Sequence, residues 1–287
     1  MHTPAVSVQG PTGAPLPIVI DSPHSGTDYP ADFGARLVAP ALRRGEDTWV
    51  DVLYGHAPAF GATLIAARFP RAYIDPNRSL LDIDQALLDA PWPGPVAPGR
   101  KTELGIGLVW RLMGGEPIYD RRLPVAEVQA RIERCWRPYH AALDAALAAV
   151  AGGPRWHLNV HSMPDDSYRR LGLPEKPLAD VVLGNLDDTT SDPALMDLLA
   201  APLRAHGYSV AFNDPFKGVE IIRASGDPAR GHQAVQVELK RSLYMDEAYT
   251  PNAGFAPLQA AIDAMLQALA DHARQVLAAG PGGGRAG

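Results

Sequence analysis

Short apolar runs rich in β-branched residues alternate along this chain with longer stretches of helical periodicity. The runs with strand character are Pro17–Asp21, Ala62–Ala66, Ala72–Asp75, Leu158–His161, Asp180–Gly184, Ser209–Phe212 and Ala234–Lys240. Most are apolar on both faces, as is typical of a sheet covered on both sides. The alternation predicts an α/β fold, a three-layer sandwich in which helices flank a mostly parallel mixed sheet.

Four segments have the spacing of amphipathic helices. They are Glu46–Ala57, Val125–Val150, Pro193–His206 and Gly254–Ala279. Pro124 and the pair Gly152-Gly153 are start and stop signals for the second of these helices. Pro138 lies inside it and predicts a kink or a split, because proline cannot donate a backbone hydrogen bond.

The segment Asp89–Pro124 has no clear periodicity and contains six prolines and six glycines. It predicts a long excursion over the surface, and loops of that length often shape a binding site. We expect one domain over residues 1–279. A Gly-rich tail follows at 280–287 and is expected to be disordered.

Composition excludes several classes of protein. The 287 residues carry a net charge of −6, so no basic surface indicates a nucleic-acid partner. No apolar run approaches the roughly 20 residues that cross a bilayer, and the N-terminus lacks the features of a secretory signal. The single cysteine, Cys135, excludes a thiolate cluster for zinc. We expect a cytoplasmic protein without nucleic-acid or membrane partners, either a monomer or a small homo-oligomer.

Two histidines, each followed by serine, end predicted core strands. His24 follows the first strand and His161 closes the strand Leu158–His161, more than a hundred residues later. In open α/β sheets the site lies outside the carboxyl ends of the strands. Imidazole is the commonest protein ligand for zinc, and catalytic zinc usually takes three protein ligands. The pair predicts a metal site that lacks one ligand.

The nearest acidic candidates for the third ligand are Asp28, Glu46 and Asp47. Asp28 lies in a stretch typical of a turn. Asp47 comes three residues before Val50 and shares the inward stripe of the predicted helix, whereas Glu46 points elsewhere. The alternative is that these acidic residues only favour the positive end of the helix dipole.

Seven fragments in order give the chain a family resemblance. They are "SPHSGTDYP", "EDTWVDVLY", "RAYIDPNRS", "NVHSMPD", "DVVLGN", "NDPFKGVEI" and "GHQAVQVELKRSLYMDE". With these fragments the chain resembles the N-formylglutamate amidohydrolases (N-formylglutamate deformylases), a family related in fold to zinc carboxypeptidases and aspartoacylases. The resemblance implies a zinc-carboxypeptidase-like fold.

The resemblance also implies one Zn²⁺ per chain, held by His24, Asp47 and His161, with Glu238 as the general base. The chemistry is consistent: zinc polarises an amide carbonyl and activates its bound water, and a carboxylate takes the proton of that water. Glu238 is the only acidic residue in "AVQVELK", and strand alternation puts it opposite the apolar face of Val235 and Val237. The alternative for Glu238 is a surface residue on an edge strand.

The fragment "RAYIDPNRS" resembles the substrate-carboxylate site of the related carboxypeptidases. It implies that Arg71, Asn77 and Arg78 bind the substrate, because a guanidinium matches a carboxylate with two parallel hydrogen bonds. Surface ion pairing is the alternative for both arginines. Asp75 lies between them and is a candidate to orient an arginine or a metal-binding histidine.

A substrate with two carboxylates needs a second cation. Arg223 is the candidate, with Lys101, Lys217 and Arg241 as competitors. His232 precedes the strand of Glu238 and is expected either to line the pocket or to be a plain turn histidine.

The chain departs from the family pattern at two places. Asn159 stands where the family usually has aspartate, and Val219 replaces a common glycine. Glu220 then occupies a position that is not usually acidic. An acidic side chain beside the pocket would disfavour a dicarboxylate substrate.

The leading hypothesis is zinc-dependent hydrolysis of N-formyl-L-glutamate to formate and L-glutamate, a step of histidine degradation. One alternative is hydrolysis of another N-acyl amino acid or small peptide-like amide. A second is a metal-free binding protein with a degenerate site. A serine hydrolase using Ser25 or Ser162 is disfavoured, because adjacent His and Ser side chains on an extended chain point to opposite faces.

Overall fold

The computed structural model of this protein describes residues 4–150 and 152–279, which form two compact units. Unit 1 contains residues 4–7, Ser22–Thr48 and Ile65–Asp144, and unit 2 contains Val8–Asp21, Trp49–Leu64 and residues 145–279. The predicted tail, 280–287, lies outside the described residues. A single domain over 1–279 stays a prediction.

Seven strands form the main sheet, in the order β1-β3-β2-β6-β9-β7-β8. β6 pairs in parallel with β2 and β9, while β7 is parallel to β8 and antiparallel to β9. The sheet is mixed and mostly parallel, and helices flank it, so the predicted fold class is confirmed. These strands are β1 (Val6–Gln9), β2 (Ile18–Ser22), β3 (Thr63–Ala67), β6 (Arg155–Met163), β7 (Val181–Gly184), β8 (Val210–Phe212) and β9 (His232–Lys240); a separate pair comprises β4 (Leu112–Met113) and β5 (Glu116–Pro117).

The helices vary widely in length. The α-helices are α1 (Ala39–Leu42), α2 (Val50–Leu53), α3 (Arg100–Glu103), α4 (Val125–Arg131), α5 (Arg137–Ala149), α6 (Ser167–Arg170), α7 (Pro193–Ala205), α8 (Glu220–Ser225) and α9 (Phe255–Ala279). Short 3₁₀ turns cover Arg43–Gly45, Ala57–Phe60, Gln85–Leu87, Pro228–Arg230 and Arg241–Leu243. The predictions for α7 and α9 are confirmed. Among the described residues no helix has the length and apolar character that spanning a membrane requires.

The long predicted helix at 125–150 is split, as Pro138 indicates. A π-helical stretch, Ile132–Trp136, separates α4 from α5. Pro138 is the second residue of α5. Because it has no N–H, the ordinary backbone ladder is interrupted one turn earlier, and the wider π turn accommodates the break.

Two predicted elements are wrong. Ala72–Asp75 is a buried turn rather than a strand, and the sheet contains instead β1, a strand that the sequence pattern does not predict. Pro70 and Pro76 bracket this turn, and Asp75 closes it by ion-pairing with Arg71 four residues back. The predicted helix Glu46–Ala57 shrinks to α2, because Trp49 just before it adopts a left-handed backbone (φ 70°).

The core of unit 2 lies on one face of the sheet. Alternate residues of β2, β6 and β9 pack against α7 and α9, among them Leu158, Val235, Val237 and Leu239. All four are fully buried, and each such side chain stabilises the fold by about 1.5–3 kcal/mol. The residues between them, of the opposite parity, therefore face the other side of the sheet.

Unit 1 is built around a buried arginine. Arg131 is 0% exposed, and its guanidinium donates hydrogen bonds to Tyr73 O at 3.0 Å and to Tyr119 Oη at 2.7 Å. It also pairs with Glu127 and lies over the ring of Tyr73 at 4.1 Å. Hydrogen bonds and an ion pair at the two Nη groups offset much of the cost of burying this guanidinium.

The segment Asp89–Pro124 is not simply a surface excursion. It contains α3 and the pair β4–β5, and its middle part is buried, including Leu108, Trp110 and Ile118. Leu108 accepts a hydrogen bond from the backbone N of Asp75 at 2.7 Å. The segment thus packs onto the turn that holds the predicted substrate-binding residues.

Candidate active site

In unit 1, His24 and Asp47 lie side by side. The backbone N of Asp47 donates to the carbonyl of His24 at 2.9 Å, and Nδ1 of His24 lies 3.3 Å from Oδ2 of Asp47. Both are 1% exposed. Asp47 thus occupies the predicted place for a different reason, since it precedes α2 in an irregular segment and is not part of a helical stripe.

The other acidic candidates are used elsewhere. Glu46 is buried, accepts a hydrogen bond from Tyr29 and ion-pairs with Arg43. Asp28 is exposed and pairs with Arg68 on the surface. Of the three acidic candidates, Asp47 is the one placed against His24.

Asp75 is the centre of the hydrogen bonding in this half of the site. Its Oδ1 lies 2.8 Å from Nε2 of His24 and accepts from the backbone N of Asn77 at 2.9 Å. Its Oδ2 accepts from Arg71 at 2.9 and 3.2 Å and from Nε1 of Trp110 at 3.2 Å. This carboxylate therefore orients both a histidine and an arginine, the role expected of it from the sequence.

The charge of Asp75 is stabilised by its neighbours. Burial alone would raise the pKa of this carboxyl, but the charges of Arg71 and Arg78 and the contact with His24 outweigh it, so the pKa lies well below its usual range. Burial lowers the pKa of the Arg78 guanidinium, and Asp75 partly offsets this effect. Asp75 is thus an ionised, acceptor-only group at neutral pH.

The three residues implied to bind substrate lie around Asp75. Arg78 is 6% exposed, with Nη1 donating to Asn77 O at 2.8 Å and Nε to Ile106 O at 3.1 Å. Arg71 is 15% exposed and lies over the ring of Trp110 at 4.9 Å. Neither arginine forms a plain surface ion pair, so the alternative of surface ion pairing is wrong for both.

Trp110 was missed by sequence reasoning. It comes from the aperiodic segment Asp89–Pro124, is 7% exposed, and contacts both Asp75 and Arg71. The same segment also contains Trp92, and no local signal in the sequence distinguishes the tryptophan that packs into the site from the other one.

In unit 2, His161 and Glu238 are neighbours across the sheet. They are register partners on β6 and β9, and both are buried, at 3% and 8% exposed. Nε2 of His161 lies 2.6 Å from Oδ1 of Asn159, and Oε1 of Glu238 accepts from Nε2 of Gln236 at 2.9 Å. β9 is a central strand, so the alternative of a surface glutamate on an edge strand is wrong.

Two other candidates, His232 and Arg223, lie on β9 and α8. His232 is the first residue of β9, six residues before Glu238, which is about 20 Å of extended strand. The expectation that His232 lines the pocket of Glu238 is therefore corrected: it is a buried residue at the opposite strand end, and burial and nearby Arg155 lower its pKa. Arg223 is exposed on α8, as is Glu220 in the first turn of that helix.

The competing cations have partners of their own. Lys217 pairs with Asp187 at 2.7 Å. Nε of Arg241 donates to Oγ of Ser162 at 3.1 Å, and Lys101 is half-buried. Ser162 is engaged with Arg241, and Oγ of Ser25 lies 2.9 Å from Oγ of Ser22. Neither of these contacts is with a histidine, the partner that activates a serine nucleophile.

One group of His, Cys, Asp or Glu residues in the described part of the chain has the arrangement of a metal-binding set. It comprises His24, Asp47 and His161, all buried, with one ligand atom from each within 4.8 Å of the others. Two imidazoles and a carboxylate form a donor set typical of catalytic zinc. The three residues proposed as ligands from the sequence are the three that form this group.

Comparison with known proteins covers nearly the whole chain. The family described as N-formylglutamate amidohydrolase matches residues 16–245. A curated N-formylglutamate deformylase from Pseudomonas putida is 33% identical over 264 residues, which are 88% of this chain and 92% of that protein. A second one, from Pseudomonas aeruginosa, is 31% identical over 263 residues, 88% of this chain and 91% of that protein.

Solved structures agree with the sequence comparison. The crystal structure of N-formylglutamate amidohydrolase from Ralstonia eutropha JMP134 is 51% identical and superimposes with a TM-score of 0.93, covering 95% of this chain and 99% of that one. A gene product from Agrobacterium tumefaciens, 20% identical with a TM-score of 0.65 and covering 94% and 95% of the two chains, shares the fold. Every candidate site residue lies inside the matched range 16–245.

Proposed function

Because this chain belongs to the N-formylglutamate amidohydrolase family and is a hydrolase acting on an amide, we propose that it hydrolyses N-formyl-L-glutamate to formate and L-glutamate. The observation that carries the proposal is the buried group of His24, Asp47 and His161. The reaction would be a late step of histidine degradation in the cytoplasm, with a small N-acyl amino acid as the only substrate besides water.

The three residues fit one Zn²⁺. Each imidazole has Nε2 against an oxygen acceptor within its own unit, Asp75 for His24 and Asn159 for His161. Histidines that bind zinc almost always donate their second ring N–H to such an acceptor, which leaves the other nitrogen as ligand. Nδ1 would therefore be the ligand atom of both histidines, and Asp47 would add a carboxylate oxygen.

Zinc in this site would polarise the amide carbonyl and lower the pKa of a water molecule towards ~7. Glu238 would act as the general base. Its carboxylate takes a proton from the attacking water as the water oxygen bonds to the formyl carbon, and gives it to the amine nitrogen as the C–N bond breaks. Gln236, two residues before on the same face of β9, holds Oε1 of Glu238 and so limits the rotation of the carboxylate.

Arg71, Asn77 and Arg78 would hold the α-carboxylate of the substrate. Arg78 is fixed by two backbone carbonyls, and Arg71 is held between Asp75 and the ring of Trp110. Side chains positioned in this way lose little entropy when a carboxylate binds, which favours tight and oriented binding. Arg223, exposed on α8, is our candidate for the side-chain carboxylate of glutamate.

The test combines metal content with product formation. The protein and its Glu238→Gln variant are both purified without chelator. Zinc content is measured by mass spectrometry, and formate release from N-formyl-L-glutamate is measured separately. We expect about one zinc per chain in both proteins. Formate release should fall by ~10²–10⁴-fold in the variant, the range that a general base contributes.

Each outcome separates one part of the proposal from the others. If the protein binds zinc but releases no formate, the assignment as a zinc-dependent amidohydrolase stands and the substrate is another N-acyl amino acid. No metal, even after zinc is added back, would reject the metal site. Full activity in Glu238→Gln would reject the assignment of the base.

A further inference from the structure

Four buried polar side chains form a continuous row in unit 2. They are His157, Asp21, Asn159 and His161, and none is more than 3% exposed. Asp21 on β2 and Asn159 on β6 are register partners, and the two histidines flank Asn159 on the same face of β6. The row ends at His161, the proposed zinc ligand contributed by this unit.

The hydrogen bonds along the row have a definite direction. Both oxygens of Asp21 accept from Nδ2 of Asn159, at 2.9 and 3.0 Å. A carboxylate only accepts, so the amide nitrogen of Asn159 must face Asp21 and its oxygen must face away. That oxygen lies 2.6 Å from Nε2 of His161 and accepts its hydrogen.

Asp21 thus determines which nitrogen of His161 carries the hydrogen. With the Asn159 amide reversed, its NH₂ group could donate to an Nε2 that carries no hydrogen, but its oxygen would then face the Asp21 carboxylate, which is repulsive. The observed orientation leaves the hydrogen of His161 on Nε2 and the lone pair on Nδ1. A metal ligand needs the lone pair on the nitrogen that faces the metal.

Asp21 is itself held from the other side. Its Oδ1 lies 2.8 Å from Nε2 of His157, whose Nδ1 lies 2.7 Å from Oγ of Ser225 on α8. Ser225 also donates to Ile221 O at 3.0 Å within that helix. The carboxylate therefore has partners on both sides, and the amide of Asn159 is oriented against a fixed group.

We propose that Asp21 is a positioning residue for the metal site: acting through the amide of Asn159, it sets the tautomer and ring orientation of His161. The proposal rests on the metal site of the proposed function. It also explains how a chain with asparagine at position 159 can orient His161. A carboxylate at 159 would accept from Nε2 of His161 directly, whereas the Asn159 amide relays the orienting effect of the Asp21 carboxylate on the neighbouring strand.

The experiment measures the affinity of the protein for Zn²⁺, by competition with a chromogenic chelator, and the thermal unfolding of the metal-free protein. The variants are Asp21→Asn, the exchange Asp21→Asn with Asn159→Asp, and Ser225→Ala. Asp21→Asn keeps the shape but loses the charge that orients Asn159, and we expect ~10–100-fold weaker zinc binding. In the exchange, the amide at 21 donates to the carboxylate at 159, which accepts from Nε2 of His161, so affinity should return close to the starting value.

Ser225→Ala is the matched control for a purely structural role. It removes a buried hydrogen bond from the same network but leaves the contacts of Asp21, Asn159 and His161 in place, so it should lower the unfolding temperature while zinc affinity is retained. Unchanged zinc affinity in Asp21→Asn, or no recovery in the exchange, would overturn the proposal while the hydrolase assignment stands. A starting protein that binds no zinc would overturn both this proposal and the metal site.

Discussion

The carboxylate of Asp75 lies 2.8 Å from Nε2 of His24 and uses its second oxygen for Arg71. A proposed zinc ligand and a proposed substrate-binding arginine are therefore oriented by one buried anion. Any change in the charge or position of this carboxylate must affect both the metal and the substrate.

Asp75→Asn should destabilise the protein by about 3–5 kcal/mol at neutral pH, because it leaves buried guanidinium groups without their anion. The folded-state pKa of Asp75 is below that of the unfolded chain, so this stabilisation is fully present above the unfolded value of ~3.9 and is lost as pH falls through the lower folded value. Urea unfolding of both proteins should thus show a constant difference in free energy above about pH 5, shrinking only below about pH 4. A difference that vanishes near pH 6 would contradict the assignment.

Arg78→Lys should raise KM for N-formyl-L-glutamate by ~10–100-fold with a smaller effect on kcat, since a lysine cannot present two coplanar donors to a carboxylate. Steady-state formate release measures both parameters. Arg68→Lys is the matched control in the same unit, because Arg68 is exposed and pairs with Asp28 on the surface. Equal effects of the two substitutions would contradict a specific role for Arg78.

Trp110→Phe should lower the free energy of unfolding by about 1.5–3 kcal/mol, the usual contribution of a hydrogen bond to a charged group. The variant keeps a ring beneath Arg71 but loses the N–H that donates to Asp75. Denaturant unfolding measures the change. Trp92→Phe is the control, because the indole N–H of Trp92 has no hydrogen bond within residues 4–150 and 152–279, and it should change stability little.

Arg223→Ala should reduce the preference for N-formyl-L-glutamate over its neutral isostere N-formyl-L-glutamine. The reason is that a cation facing the side-chain carboxylate favours only the charged substrate. The ratio of kcat/KM for the two substrates is the measurement. If Lys217→Ala removes the preference and Arg223→Ala does not, the second cation is Lys217 and our assignment is wrong.

The sequence predicted well which face of the sheet His161 and Glu238 occupy, although β6 continues two residues beyond the predicted end at His161. β6 and β9 are central strands whose parity is set by an uninterrupted apolar row on the core face, so the polar residues of the other parity could be assigned to the opposite face. His161 and Glu238 follow from that alternation together with the family resemblance. His232 shares the parity of Glu238, but it lies too far along the strand, a distance that parity alone does not reveal.

The candidate site residues of unit 1 lie outside the strands, so strand alternation could not predict their positions. Helical periodicity places Asp47 on a stripe that the structure does not contain, because the left-handed backbone of Trp49 has no signal in the sequence. The turn around Asp75 has the sequence pattern of a strand, because buried turns and buried strands are both rich in apolar residues. Trp110 depends on long-range packing of an aperiodic segment, and no local pattern encodes such packing.

The alternation along β6 also limits how the chain can vary in length. Trp156, Leu158 and Val160 belong to the core, while His157, Asn159 and His161 carry the polar row. Deleting or inserting one residue in this strand would exchange the two sets, putting imidazoles into the apolar layer and tryptophan into the active site. The number of residues between Trp156 and His161 is therefore fixed by the fold, because any change of one residue in length moves the polar row into the core.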